Sequence, residues 1–172
     1  MPFVEFLAAH HDRASFDCGK APLNRYIREI ARQNADRNLG VTQVVVPTLQ
    51  SPHIMGYFTL LTRTVEANVL PEKRLPQGSI GVVLLGRLAV DARYQGQGLG
   101  KRMLLRAMAE TTAAATRIGM YALVLDALDE EARSWYVGLD FGFKPVLDDH
   151  NRLYAPIAFI RQLSLGEISA EL

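Results

Sequence analysis

The hydrophobic positions of this chain change period repeatedly. Residues 2–7 (PFVEFL) form a short apolar run that predicts a first strand. Over 21–39 the apolar residues take helical spacing, with Leu23, Tyr26, Ile27, Ile30 and Ala31 on one stripe and Asp17, or the loop after it, as the cap. Residues 41–49 (VTQVVVPTL) and 54–66 (IMGYFTLLTRTVE) are β-branched and aromatic runs separated by QSPH, which predicts a hairpin. Residues 69–78 (VLPEKRLPQG) read as connecting structure punctuated by Pro71 and Pro76, and 81–90 (GVVLLGRLAV) is apolar enough for a strand buried on both faces. Helical spacing returns with Leu99, Met103, Leu104, Ala107, Met108, Thr111, Ala115 and Ile118, up to Gly119. A buried strand is expected at 121–128 (YALVLDAL) and a helix from about Asp129, with Ala132, Trp135, Tyr136 and Leu139 on its apolar stripe. Closing strands are expected at 143–146 (FKPV) and 153–160 (LYAPIAFI).

This order fits an α/β (α+β mixed) fold with one central mixed sheet of six to seven strands and helices on both faces. The segment 81–128 reads as a right-handed crossover: buried strand, glycine turn, helix, buried strand. At 172 residues, a chain should bury about 70% of its unfolded surface. With no repeat and no long linker, residues 1–172 are expected to form a single domain.

Composition narrows the classes. The chain is 49% apolar and 22% charged, values that exclude disordered and fibrous proteins. Cys18 is the only cysteine, so no intramolecular disulfide forms and a reducing, cytoplasmic setting is expected. No run approaches the roughly 18 apolar residues of a membrane span. The net charge of +1 hides two basic groups, one at Arg25, Arg28, Arg32 and Arg37, the other at Arg87, Arg93, Lys101, Arg102 and Arg106.

The chemistry concentrates in RYQGQGLGKR, residues 93–102. Helix N-terminal N–H groups carry partial positive charge, and glycines remove the Cβ atoms that would keep an anion from the main chain. Gly96, Gly98 and Gly100 stand at the mouth of the predicted helix, beside Arg93, Lys101 and Arg102. The spacing G-x-G-x-G misses the dinucleotide fingerprint G-x-G-x-x-G by one residue. The P-loop fails as well, because Gln95 and Arg102 stand where glycine and serine or threonine are required.

The segment does match Q-x-x-G-x-G, as Gln95, Gly98 and Gly100 after GRLAVDARY. It resembles the acetyl-CoA signature of the GCN5-related N-acetyltransferases. The resemblance implies acetyl-CoA as cofactor. Main-chain groups of Leu88, Ala89 and Val90 would align the pantetheine arm, and Gln95, Gly96, Gln97, Gly98, Leu99, Gly100 and Lys101 would hold the diphosphate. EEARSWYVGLDFGF resembles the family's segment after the second buried strand, where a tyrosine lies near the cofactor sulfur. That makes Tyr136 the candidate catalytic acid, although two extra residues separate it from Gly142 and Phe143. The other reading is a core tyrosine packed beside Trp135 and Leu139.

A main-chain N–H near Val90 is the simplest group to polarise the thioester carbonyl. A base is harder to find. His10, His11, His53 and His150 fall in terminal or loop-like segments and read as solvated surface; Asp126 and Glu66 are left as relays through water. No metal site is expected. An α-amino group, with pKa about 7.7 to 8.0 against about 10.4 for lysine, needs least help from a base.

Residues 16–46, 85–100 and 143–160 together resemble the acetyltransferase toxins of bacterial toxin–antitoxin pairs. That resemblance implies acetylation of the amino group of aminoacyl-tRNA, a homodimer, a ribbon-helix-helix antitoxin and a basic surface for tRNA. Arg25, Arg28, Arg32, Arg87, Arg93 and Arg102 are the candidate phosphate contacts. An acetyltransferase for a small amine, antibiotic or protein N-terminus would share the cofactor half and Tyr136. A silent fold that binds only coenzyme A or a protein partner is the third class.

Overall fold

The computed structural model describes residues Met1–Leu163; the rest of the expected domain, 164–172, lies outside the described residues. The elements are β1 (Phe3–Phe6), α1 (Ala21–Arg25), a π-helical turn (Tyr26–Ile30), α2 (Ala31–Asp36), β2 (Val41–Val46), β3 (Gly56–Glu66), β4 (Ser79–Val90), α3 (Leu99–Ala115), β5 (Ala122–Asp126), α4 (Glu130–Gly138), β6 (Lys144–Pro145), β7 (Arg152–Pro156) and α5 (Ile157–Ile160). The fold is mixed α/β, and the sheet order is β1-β2-β3-β4-β5-β7-β6.

The expected alternation of strands and helices is present, with local corrections. Residues 157–160, read as strand, form the helix α5. The long helix stops at Ala115. Of the two caps expected, the loop after Asp17 supplies it: Lys20 takes the N-cap position without a side-chain bond, while Asp17 accepts the Gly19 N–H and the Asn24 amide. β4 is not buried on both faces, since its burial alternates and Arg87 is exposed. On α4 only Tyr136 of the expected stripe is buried, and Trp135 remains 38% exposed.

The chain forms two compact units. The first contains 1–61 and 86–107. In it β1 and β3 flank β2 antiparallel, with Phe3 opposite Val46 and Val44 opposite Tyr57. Thr42 and Thr59, opposite each other, satisfy their buried hydroxyls mutually at 2.8 Å. Phe16, Ile27, Ala31, Val44, Val46 and Tyr57 form its core. Ile27, Val44 and Val46 are fully enclosed, and such side chains contribute about 1.5–3 kcal/mol each. The Tyr57 hydroxyl donates to the Leu23 carbonyl at 2.7 Å, so even the largest aromatic of this core has its polar end satisfied.

The second unit contains 62–85 and the described residues from Met108 onward. Here β4 pairs parallel with β5, with Leu84 opposite Val124, as the crossover reading requires. β7 runs antiparallel to β5, with Asp126 opposite Arg152. Val82, Ala122, Val124, Val146 and Tyr154 make its core. The Tyr154 hydroxyl donates to Glu72, which also pairs with Lys144 at 3.1 Å. Gly142, at φ +85°, has no room for a side chain, because a Cβ there would lie 2.2 Å from Cε1 of Phe159.

Candidate active site

In the first unit, β4 ends at Val90 and the chain turns sharply. Asp91 caps a single 3-10 turn, Ala92–Tyr94, by accepting the Arg93 N–H at 3.1 Å. Gly96 and Gly98 then both take positive φ, +73° and +79°, a region costly to residues with a Cβ. Nothing lies within 4 Å of where a Cβ would stand at either glycine. These glycines serve the backbone path and leave open space beside it. Gly100 differs: it is already the second residue of α3. Leu99, 2% exposed, plugs the helix start into the core, while Lys101 is exposed.

α3 runs for 17 residues from this turn. Its first N–H groups have no partners within the helix, and its dipole favours negative charge at that end. The two left-handed glycines therefore deliver a bare backbone to an anion-attracting helix mouth. This arrangement suits a diphosphate.

The Gln95 side chain lies beside this opening but donates to main-chain carbonyls, to Val90 at 2.8 Å and Cys18 at 3.0 Å. Gln97 donates to the Arg93 carbonyl. Leu88 and Val90 are half-buried and Ala89 is buried at the end of β4.

The basic residues are placed unevenly. Arg93 grips Asp91 with two bonds, 2.7 and 2.9 Å, so its charge is partly neutralised. Arg28 donates to the Phe16 carbonyl and Arg25 pairs with Glu29 at 3.1 Å. The Arg87 guanidinium lies 4.9 Å from the centre of the Tyr26 ring. Arg32 and Arg102 are half-buried.

Asp91 is the residue sequence reasoning missed. Although only 1% exposed, it stays ionised. Burial pushes its carboxyl up, but the bonds from Arg93 and the Asp17 amide outweigh this and hold its pKa at about 2.

In the second unit, Asp129 caps α4 by accepting the Ala132 N–H at 2.8 Å, and Glu130 and Glu131 follow in the first turn, where negative charge suits the helix dipole. This helix holds Tyr136 edge-on between Trp135 (4.9 Å between ring centres) and Phe143 (6.1 Å). Burial raises the phenol well above its usual pKa. Tyr57 and Tyr154 give their hydroxyls to a carbonyl and a carboxylate, whereas the Tyr136 hydroxyl has no hydrogen-bond partner among the described residues. Its ring is core-like.

The candidate relays are engaged elsewhere. Asp126 pairs with Arg152 and Arg63, and Glu66 accepts from Ser79. Burial raises the Asp126 carboxyl, but the bonds from Arg152 and Arg63 bring it below its usual value, which makes it a poor base.

Of the histidines, His11 corrects the expectation of a solvated surface: it is 3% exposed. Its Nδ1 accepts the Ala8 N–H at 2.9 Å, which leaves the proton on Nε2, facing Glu5 at 3.4 Å. Glu5, His10 and His11 bring potential ligand atoms within 4.8 Å of one another. The bond from Ala8 nevertheless sets the tautomer in which Nε2 has no lone pair to give a metal. His53 is half-buried and bonds Tyr94 at 2.9 Å.

A turn of this shape between a parallel crossover strand and its helix suits a diphosphate-bearing ligand, and comparison with known proteins gives the class. The profile of the acetyltransferase (GNAT) domain matches residues 53–145. A tRNA-acetylating toxin of Mycobacterium tuberculosis (strain ATCC 25618 / H37Rv) is 34% identical over 137 residues, 78% of this chain and 80% of that protein. The crystal structure of a tyrosine-to-phenylalanine mutant of KacT superposes with TM-score 0.88 at 31% identity, covering 94% of this chain and 98% of that one. AtaT complexed with acetyl-methionyl-tRNAfMet superposes with TM-score 0.86 at 30% identity, covering 95% and 99%. Other similar structures are AtaTR bound with AcCoA and an AtaT mutant bound to the C-terminus of the antitoxin AtaR. The chain belongs to the GNAT acetyltransferase family.

Proposed function

We propose that residues 1–172 act as one acetyltransferase domain that moves the acetyl group of acetyl-CoA to the α-amino group of aminoacyl-tRNA, and so blocks translation as a toxin. The observation that carries this reading is the turn at Gly96 and Gly98, two left-handed residues in open space that lead into the N-terminus of α3. Likeness to a tRNA-acetylating toxin and to AtaT complexed with an acetylated aminoacyl-tRNA supports the acceptor. Likeness to AtaTR bound with AcCoA supports the donor.

The chain's own groups divide the work. The amides from Gly96 to Lys101 fit a diphosphate, and β4 from Leu88 to Val90 offers main-chain groups to an amide-rich arm. Acetyl-CoA supplies an acetyl thioester. When the acceptor nitrogen bonds to the carbonyl carbon and the C–S bond breaks, Tyr136 presents its O–H to the departing sulfur. With its pKa raised, the phenol stays protonated throughout the physiological range. It is a weaker acid than a thiol of pKa about 8.5, so it acts mainly as a hydrogen-bond donor. The proton lost by the amine ends on the thiol. No strong base is required, because an α-amine with pKa about 7.7 to 8.0 is substantially neutral near pH 7 to 8.

Arg25, Arg28, Arg32, Arg87 and Arg102 are the proposed contacts to tRNA phosphates, with Arg93 assigned mainly to Asp91. A homodimer, a ribbon-helix-helix antitoxin and a cytoplasmic setting complete the reading. Support for an antitoxin comes from the AtaT structure bound to the C-terminus of AtaR. No described helix is long and apolar enough to cross a membrane.

The test offers purified protein and labelled acetyl-CoA a mixture of charged tRNAs, polyamines and peptides. Label on the charged tRNAs is expected. Label on polyamines or peptides alone would move the assignment to a small-amine or N-terminal acetyltransferase.

A further inference from the structure

We infer that Asp91 is a positioning residue for the coenzyme loop, acting through Arg93 and together with Gln95 to fix the path of the chain into Gly96 and Gly98. The inference rests on the coenzyme reading above. Two left-handed glycines make a permissive backbone, which loses more entropy on ordering than any other residue type. Such a turn has a defined shape only if both ends are held. Its far end is held by α3, whose Leu99, Met103 and Leu104 are buried.

The near end is held by Asp91 and Gln95. One Asp91 oxygen accepts the Arg93 N–H and Nε, the other the Asp17 N–H at 3.1 Å and Arg93 Nη2. A carboxylate offers about four lone-pair positions, and these bonds fill them. The Ala92 N–H returns the link by donating to the Asp17 carbonyl at 2.8 Å. Gln95 then donates to the Cys18 and Val90 carbonyls, on either side of the same junction. The partner segment is itself tied down: the Cys18 N–H donates to Asn24 Oδ1 at 2.9 Å, and Asn24 donates to Asp17 at 2.7 Å.

Asp91 does not need to touch the ligand. It sets where the amides that do so will stand. Removing a charged hydrogen-bond partner of this kind weakens the dependent interaction on the order of tenfold or more.

The test compares wild type with Asp91→Asn, which keeps the size but loses the charge and half of the acceptor capacity, and with Arg93→Gln, which leaves the buried carboxylate in place and changes a side chain that is 53% exposed. Calorimetry with coenzyme A is read beside kcat and KM for acetyl-CoA, and beside amide hydrogen exchange over 93–100 in free protein. Both variants should raise Kd and KM for the coenzyme about tenfold with kcat within about threefold, and should speed exchange in the loop. Arg93→Gln carries the test if Asp91→Asn does not fold. Folded variants that bind coenzyme A like wild type and exchange at the wild-type rate would overturn the inference. If wild type itself gives no heat with coenzyme A, the coenzyme reading falls, and the exchange rates alone decide whether Asp91 orders the loop.

Discussion

Asp126 and Arg152 face each other across β5 and β7, with Oδ1 and Nε 2.7 Å apart. Arg63 reaches the second oxygen at 2.8 Å. A carboxylate held by two guanidinium groups stabilises the β5–β7 pair and makes a poor proton acceptor. Asp126 is 44% exposed, so screening keeps each pair below about 1 kcal/mol. Its folded pKa lies below the ordinary value of 3.8. The contribution is therefore complete above the unfolded value and is lost as pH falls through the lower, folded one. Asp126→Asn should cost about 1 kcal/mol in urea unfolding at pH 7, with the deficit shrinking below about pH 4. At pH 7 its kcat should stay within about threefold of wild type, whereas a loss of about 100-fold would restore Asp126 as a base.

Tyr136 separates chemistry from packing. Tyr136→Phe keeps the ring contacts to Trp135 and Phe143 and removes the hydroxyl. The expected result is a fall in kcat of about 100-fold or more, unchanged affinity for coenzyme A and an unchanged or slightly higher melting temperature. Because burial raises the phenol, activity should show no alkaline decline from tyrosine ionisation below about pH 10. A decline near pH 9 that vanished in the phenylalanine variant would contradict this placement. In cells, expression of the native chain should arrest growth and Tyr136→Phe should relieve the arrest.

Gly142 tests the packing against α5. Alanine there would place a methyl group 2.2 Å from the Phe159 ring at a φ of +85°. Overpacking and left-handed strain together should cost about 2–5 kcal/mol, measured as a lower denaturation midpoint. Gly142→Ala combined with Phe159→Ala should recover part of that loss, since the collision disappears and the strain remains.

Much of this architecture is legible in the residue pattern, because burial imposes period on each element. The strand–turn–helix order from residue 81 can be read from apolar spacing and glycine placement alone, although that spacing carries the helix to Gly119 and the structure ends it at Ala115. Residues 157–160 mislead because four apolar residues fit a buried strand as well as one helical turn. Asp91 could not be ranked from its neighbours. Its bond to the Asp17 amide joins positions 74 apart in the chain, and only folding reveals that both oxygens are filled. His11 looks like loop surface until Glu5 and the Ala8 amide are brought to it. The α4 segment is harder still to read, since the stripe that suggests a buried face encloses Tyr136 and leaves Trp135 partly exposed.

The most direct measurement of the central claim follows the backbone amides of Gly96 to Lys101 by NMR while coenzyme A, and separately pantetheine, is added to the folded protein. A diphosphate held by the turn predicts large shifts at Gly96, Gly98 and Leu99 with coenzyme A and almost none with pantetheine, which lacks the diphosphate. Coenzyme A that binds without moving these amides, or that does not bind at all, would contradict the account.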